Sequence, residues 1–208
     1  MCRACRHRPV RIGEHFCLKC GKELGRDSRE YCPDCLRKVH AYDRGRALFR
    51  YDDCMRASIA AFKYKGRREY KAFFAQEMAQ AFTGQIARWQ PEVLVPIPLH
   101  RGRKRRRGYN QAELLARELS QLLDIPVDTR LLKRVQKTLP QKELSDRQRR
   151  ENMKTAFKIQ GNTVKYKRIL LIDDIYTTGS TIDAAASLLK EKGAKKVYFL
   201  CISIGSSR

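Results

Sequence analysis

Two short segments of the chain carry residues whose types and spacing could do chemistry. In the carboxyl-terminal half, an apolar run ends in Asp173 and Asp174, and residues rich in threonine, glycine and serine follow up to Thr181. In the amino-terminal part, six cysteines form three C-x-x-C pairs within the first 35 residues. The first pattern suits the binding of a phosphorylated sugar, and the second suits a metal ion.

The acidic segment reads RILLIDDIYTTGSTI over Arg168–Ile182 and predicts a buried strand, a phosphate-binding turn and a helix. Ligands of open α/β sheets bind beyond the carboxyl ends of the strands. The turn offers backbone N–H groups, hydroxyls and a helix amino terminus, and Gly179 lets the backbone approach a phosphate monoester. We expect Asp173 and Asp174 to accept hydrogen bonds from ribose hydroxyls, with Mg²⁺ bridging nearby oxygens. An ordinary loop that caps a helix is the alternative.

The cysteine spacing predicts a zinc site. Two thiolates separated by two residues on a tight turn can point at one ion, and two such turns complete a tetrahedral site. Gly21 permits the turn after one pair, and the next pair follows after eleven residues, a separation suitable for a zinc ribbon. We expect the metal to fold a small module and to have no catalytic role. The predicted ligands are Cys17, Cys20, Cys32 and Cys35.

The remaining pair leaves the cysteine pairing open. Cys2 and Cys5 lie eleven residues before Cys17, so they could partner Cys17 and Cys20 instead. They could also form half of a second site, which His7, His15, His40 or a segment upstream of this sequence could complete.

A third segment, Arg101–Gly108, is strongly basic, with six cationic residues among eight. It follows a predicted strand, so we expect a loop at the carboxyl end of that strand. One or two of the charges could bind pyrophosphate, and the surplus fits a DNA backbone. A solvated basic loop is the alternative. The cations are Arg101, Arg103, Lys104, Arg105, Arg106 and Arg107.

The composition agrees with polyanionic partners. The chain has 208 residues, with 45 Lys and Arg against 22 Asp and Glu, a net charge of +23 and a pI near 10.1. This excess predicts attraction to nucleic acid, phosphorylated ligands or an acidic membrane face. The longest apolar stretch, Val197–Ile204, is too short to span a bilayer, and the MCRACRHRPV start is not a signal peptide. We therefore expect a cytoplasmic protein.

The elements that must position these segments divide the chain into two parts. We predict a zinc module over residues 1–46 and an α/β domain over 47–208, whose buried strands alternate with helices and imply a parallel sheet covered on both faces. The residues after 135 are predicted to form a lid loop over 136–150. The predicted strands cover 47–52, 93–98, 169–173 and 196–203, and the predicted helices cover 54–65, 69–89, 110–124 and 181–192.

The IDDIYTTGST string resembles the hallmark of the type I phosphoribosyltransferases. The resemblance implies that Asp173 and Asp174 bind the ribose hydroxyls of 5-phosphoribosyl-1-pyrophosphate (PRPP). Members that act on 6-oxopurines often carry an aspartate where this chain has Thr177, which counts against a hypoxanthine–guanine enzyme. The residues implied to bind the 5′-phosphate are Thr177, Thr178, Gly179, Ser180 and Thr181.

The order of the motifs along the whole chain is similar to that of the ComF/ComFC family of competence proteins. After the cysteine pairs come FKYKG at 62–66, VPIPL at 95–99, RGYNQA at 107–112 and then IDDIYTTG. Members often carry four C-x-x-C pairs, whereas this chain has three. The resemblance implies a zinc ribbon joined to a phosphoribosyltransferase domain, and handling of single-stranded DNA at the cytoplasmic side of the uptake machinery during natural transformation.

From these patterns we expect a factor that binds zinc, Mg²⁺–PRPP and single-stranded DNA. Its expected partners are other DNA-uptake proteins at the inner face of the cytoplasmic membrane. Two alternatives stay open. One is a metabolic enzyme that transfers phosphoribose to a nitrogenous base or amine, and the other is a non-catalytic PRPP sensor or docking module.

Overall fold

The predicted apolar runs form one central sheet in the structure, a computed structural model that describes residues 9–25, 29–135, 156–161 and 164–205. The residues Cys2, Cys5 and His7 and the predicted lid loop lie outside the described residues. The central sheet has four parallel strands in the order β1-β6-β5-β2. Its strands are β1 (Arg44–Arg50), β2 (Val93–Pro96), β5 (Arg168–Tyr176) and β6 (Lys196–Ile204). A separate antiparallel pair consists of β3 (Leu132–Arg134) and β4 (Phe157–Ile159).

Helices follow the strands as the sequence predicts for an α/β domain. Asp52 accepts a hydrogen bond from the Met55 backbone N–H at 2.8 Å and so caps the second helix, and Asn110 caps the fifth in the same way. The described helices are α1 (Pro33–Arg37), α2 (Asp53–Tyr64), α3 (Tyr70–Trp89), α4 (Arg101–Arg107), α5 (Gln111–Leu123) and α6 (Ser180–Glu191).

The sheet is buried on both faces, which explains why its strands read as continuous apolar runs. On one face, α2, α3 and α5 pack against the strands in a cluster that includes Phe62, Met78 and Leu115. The described residues before β1, 9–25 and 29–43, form a cysteine-rich segment. On the other face of the sheet, α6 and this cysteine-rich segment share a second cluster in which Tyr42 contacts Phe199 with ring centroids 4.9 Å apart. The cysteine-rich segment therefore packs on the core of the sheet. The division into 1–46 and 47–208 stays a prediction.

Two predicted strand boundaries are wrong by three residues, and the others agree with the structure to within two. The first strand begins at Arg44, three residues before the predicted start, and its first residue pairs with Tyr198. The strand predicted to end at Asp173 continues to Tyr176, because its neighbour β6 offers pairing partners as far as Ile204. The two aspartates therefore lie within a paired strand and close to its end.

The basic segment is a helix, which corrects the predicted loop. Arginine and lysine are good helix formers, and basic residues in the last turn complement the partial negative charge of a helix carboxyl terminus. The His100 side chain accepts from the Gly102 N–H at 3.2 Å at the start of α4, and Gly108, with φ of 81°, ends it. Among the described residues, no helix is long and apolar enough to cross a membrane.

Candidate phosphate-binding site and metal centre

The aspartate pair lies at the carboxyl end of β5, in the interior of the sheet. Asp174 is 9% exposed, and its Oδ1 accepts from Lys63 Nζ at 2.8 Å. Asp173 Oδ1 accepts from the backbone N–H of Asp174 at 2.8 Å. Burial, with the charge of Asp174 adding to it, raises the pKa of Asp173 to about 7. The site therefore holds two desolvated carboxylates, of which Lys63 neutralises one.

The turn after β5 forms a small cradle between the strand and α6. A cavity of about 40 Å³ is lined by Asp173 and by residues 175–182. Gly179 has φ of 75°, and a Cβ at this position would lie 2.3 Å from the Tyr176 hydroxyl, so only glycine fits. The hydroxyls of Thr178 and Ser180 lie 2.9 Å apart at the start of the twelve-residue helix α6. Hydroxyls and helix N–H groups in one concavity can bind a phosphate group.

Two motifs that are distant in the sequence meet beside this cradle. The Tyr109 hydroxyl of RGYNQA donates a hydrogen bond to the Phe62 carbonyl of FKYKG. The Arg107 guanidinium lies over the Tyr64 ring, 4.8 Å from its centroid. These contacts hold the end of α2 against the end of α4, and the same α2 motif supplies Lys63 to Asp174. Sequence reasoning missed Lys63 as a site residue, although the FKYKG motif was its signal.

The basic helix α4 lies near the same end of the sheet. Arg107 donates to the Gln111 side chain at 2.6 Å, and Lys104 pairs with Glu113 at 3.2 Å. The other four cations, Arg101, Arg103, Arg105 and Arg106, are exposed. The predicted role of this segment in binding pyrophosphate or DNA stays a prediction.

Arg134 on β3 was also missed by sequence reasoning. Burial lowers the pKa of Arg134, the charge of Arg103 lowers it further, and the charge of Asp173 opposes both. The charge of the guanidinium therefore interacts with those of Asp173 and Arg103. No sequence signal marked it, because β3 reaches the site only through the tertiary fold.

The structure brings together the four cysteines that the sequence paired. The Sγ atoms of Cys17, Cys20, Cys32 and Cys35 all lie within 4.8 Å of one another, and those of Cys20 and Cys32 are 3.7 Å apart. Four thiolates around zinc at about 2.3 Å in tetrahedral geometry are separated by about 3.8 Å. The donor set therefore fits a closed, structural zinc site. His40, considered above as a completing ligand for a second site, is bonded to Asp183 through Nδ1.

The cysteine-rich segment contacts the phosphate cradle directly. The Asp183 carboxylate, in the first turn of α6, accepts from His40 Nδ1 at 2.7 Å and from the Ala41 N–H at 3.0 Å. Burial opposes ionisation of Asp183, but the hydrogen bonds from His40 and Lys38 lower its pKa overall. The Tyr42 and Tyr176 hydroxyls are 2.7 Å apart, and Tyr176 is the residue that packs on Gly179. The fold of the cysteine-rich segment therefore supports the cradle.

Comparison with known proteins places these features in one family. Residues 74–206 match the family model described as a phosphoribosyl transferase domain. Competence protein F of Haemophilus influenzae is 34% identical over 187 residues, which cover 88% of this chain and 81% of that protein. Competence protein ComFC of Bacillus subtilis is 32% identical, with coverages of 93% and 79%. DNA utilization protein YhgH of Escherichia coli K12 is 30% identical, with coverages of 97% and 89%.

Among solved structures, a purine phosphoribosyltransferase from Pyrococcus horikoshii matches with a TM-score of 0.40 and 18% identity. The match covers 64% of this chain and 73% of that one.

Proposed function

Since the chain belongs to the ComF/ComFC family of competence proteins and carries a phosphoribosyl transferase domain, we propose that it is a competence factor that binds PRPP and handles single-stranded DNA. Two of its relatives are named competence proteins, and others are named DNA utilization proteins. Its proposed partners are other DNA-uptake proteins at the cytoplasmic face of the membrane.

The observation that carries the PRPP half is the juxtaposition of the Gly179 cradle with two desolvated carboxylates. A 5′-phosphate fits the cradle, where N–H groups and hydroxyls converge. Asp173 and Asp174 lie next to the turn, near the carboxyl end of β5, where they accept hydrogen bonds from the ribose hydroxyls. Lys63 holds Asp174 in place. Mg²⁺ that enters with PRPP neutralises the pyrophosphate charge.

Calorimetric titration of Mg²⁺–PRPP tests this half. Wild-type protein and an Asp53→Asn control bind, because Asp53 is an exposed residue of α2 that pairs only with Arg56 among the described residues. The Asp173→Asn/Asp174→Asn variant loses binding. Absence of binding to wild type, or equal binding to the double variant, contradicts the proposal.

The DNA half is supported by the net charge of +23 and by the exposed cations of α4. Each phosphate that a cation neutralises releases counterions, so the binding constant falls with salt by a slope of about −0.7 per contact for single strands. Replacing Arg105 and Arg106 by Gln is expected to weaken oligonucleotide binding and to flatten that slope. An Arg56→Gln variant, which removes a cation from α2, is the control. Unchanged slopes in the α4 variant exclude this helix as a DNA contact.

The family-model match favours a second candidate function, phosphoribosyl transfer. A nitrogen nucleophile of the acceptor would form a bond to ribose C1 as the bond from C1 to the pyrophosphate oxygen breaks, and pyrophosphate would leave. Incubation with PRPP and a panel of nucleobases and amines tests it. Release of free pyrophosphate with one acceptor supports transfer, whereas tight PRPP binding without release supports a sensor or docking role.

A further inference from the structure

A second cavity lies at the opposite end of the sheet, where β1 and β6 begin. Its volume is about 410 Å³, within the range of small-molecule sites. Four separate parts of the chain line it: the cysteine-rich segment, the start of β1 with the residue before it, the end of α3 and the start of β6. We call it the amino-edge cleft, and its key lining residues are Phe16, Arg44, Arg46, Arg88, Trp89 and Tyr198.

Arg46 gives the cleft a buried positive charge. Within the described part of the chain, its Nε and Nη1 atoms are buried and have no hydrogen-bond partner, and the guanidinium stacks on Phe16. Burial lowers the pKa of Arg46 to about 10, so the group stays charged at neutral pH. A buried charge without a counter-ion destabilises the fold, because desolvation of the charge is not offset. An anion in the cleft would offset that cost.

The acidic residue that lines the cleft does not supply the counter-charge. The Asp43 carboxylate is bonded to Lys190 at 2.7 Å, to Lys196 at 3.0 Å and to the Val197 N–H at 2.9 Å. Arg44 and Arg88 are exposed at the cleft, and the described residues include no carboxylate paired with either. The cleft therefore carries an excess of three guanidinium groups.

An aromatic wall adjoins these charges. The rings of Trp89 and Tyr198 are stacked, with centroids 4.7 Å apart and an interplanar angle of 4°. Phe16 contributes a third ring beneath Arg46. Guanidinium groups beside aromatic rings are the combination that binds a phosphate together with a planar base.

From this juxtaposition we infer that the amino-edge cleft binds a nucleotide unit of single-stranded DNA, separate from the PRPP cradle at the other end of the sheet. The phosphate pairs with the exposed Arg44 and Arg88 guanidinium groups and is attracted by the buried charge of Arg46. The base packs on the half-buried Tyr198 ring, which the buried Trp89 supports from behind. This inference rests on the DNA half of the proposed function and assigns a site to it.

Trp89 is the single tryptophan of the chain, so its fluorescence reports on the cleft. The experiment titrates labelled oligothymidylate of about 15 nucleotides and, separately, thymidine monophosphate, and records anisotropy and Trp89 emission. The test variant is Arg44→Gln/Arg88→Gln, which leaves the buried Arg46 and its packing intact. The control is Arg37→Gln/Arg56→Gln, which removes the same charge from exposed positions in α1 and α2. An unchanged circular dichroism spectrum and an unchanged melting temperature show that each variant is folded.

The oligonucleotide is expected to change Trp89 emission in wild type and in the control. In the test variant, affinity is expected to fall about tenfold and the salt slope to flatten by about 1.4 for two lost contacts. Equal affinity in the test and control variants, or DNA binding without a Trp89 response, overturns the inference and leaves DNA handling intact. If the oligonucleotide does not bind wild type, the DNA half of the proposed function fails. The thymidine monophosphate titration then tests whether the cleft binds a nucleotide. A change in Trp89 emission supports a nucleotide site in the cleft, and the absence of a change overturns that site.

Discussion

The two edges of the central sheet are built from the same strands, but the side chains that they bury have opposite charges. At the carboxyl edge, burial raises the pKa of Asp173, and Asp174 is paired with Lys63. At the amino edge, the buried charge is the Arg46 guanidinium, and the exposed neighbours are also cations. The carboxyl edge receives the amino terminus of α6, whereas the amino edge receives the carboxyl terminus of α3.

This difference follows from the direction of the strands. In a parallel sheet with crossover helices, helix amino termini collect at one edge and helix carboxyl termini at the other. N–H groups at the first edge bind phosphate without any cationic side chain, so carboxylates there remain available for hydroxyls. At the second edge the helix dipole is negative, so cations are stabilised and anions must be bound by side chains. The following experiments perturb the carboxyl edge, or the cysteine-rich segment that contacts both edges.

The largest effect is expected from disruption of the four-cysteine cluster, because the cysteine-rich segment contacts both edges. Structural zinc contributes on the order of 10 kcal/mol to such modules. Replacing Cys17 and Cys20 by Ser, or adding a chelator, should therefore unfold this segment and lower the melting temperature. The affinities for PRPP and for the oligonucleotide should both fall. Zinc content, thermal unfolding and both titrations are the measurements. Cys54→Ser, outside the cluster, is the control. If the variants lacked zinc and kept both affinities, the segment would not support either edge.

The next largest effect is expected from Gly179→Ala, which perturbs only the carboxyl edge. The added Cβ would lie 2.3 Å from the Tyr176 hydroxyl at a φ of 75°, so we expect a loss of about 3 kcal/mol in the free energy of unfolding. PRPP affinity should fall and oligonucleotide affinity should stay unchanged. Gly161→Ala has a φ of 96° and no neighbour within 4 Å, so it isolates the backbone strain at about 1 kcal/mol. Equal losses in the two variants would mean that the cradle is not tightly packed.

Asp173→Asn is expected to stabilise the protein at alkaline pH by about 2 kcal/mol, with partial exposure limiting the effect. Folding raises the pKa of Asp173 from 3.8 to about 7, so the folded state binds this proton more tightly than the unfolded chain. Wild-type stability should therefore fall as pH rises from about 4 to about 7, and the variant should lack this fall. Urea unfolding at several pH values measures it, with Asp53→Asn as control. If the stability of the variant had the same pH dependence as that of wild type, folding would not raise the pKa of Asp173.

The smallest effect is expected at the contact between the cysteine-rich segment and the cradle. Tyr176→Phe leaves the buried Tyr42 hydroxyl without its 2.7 Å partner and should cost about 1 kcal/mol. Tyr42→Phe should cost a similar amount, and the double variant should cost less than the sum, because no buried hydroxyl is left unsatisfied. Chemical unfolding of the three variants measures the coupling. Strict additivity would mean that the two hydroxyls do not interact.

Much of the carboxyl edge could be predicted from the sequence because its residues are contiguous. The strand, the aspartate pair, the turn and the start of the helix follow one another within Arg168–Ile182. Their spacing along the chain was therefore enough to predict which residues form the turn and that Gly179 lies in it. The four-cysteine cluster was predictable for the same reason, since each C-x-x-C pair is one turn. Lys63 and Arg134 could not be assigned, because α2 and β3 reach the aspartates only through packing.

The amino-edge cleft could not be predicted from the sequence. Its lining comes from four segments: Phe16 and Leu18, residues 43–46, the end of α3 and the start of β6. The first of them overlaps a C-x-x-C pair, which predicts a metal site, and the other three carry no motif that predicts a cleft. Periodicity identified the strands but not their order, and the order β1-β6-β5-β2 decides which strand starts lie together.

The sequence by itself determined the local chemistry of the turn after β5 and of the cysteine pairs, because turn geometry and strand burial depend on neighbours along the chain. The tertiary structure decided the partner of Asp174 and the existence of the second cleft, because these depend on which buried faces pack together.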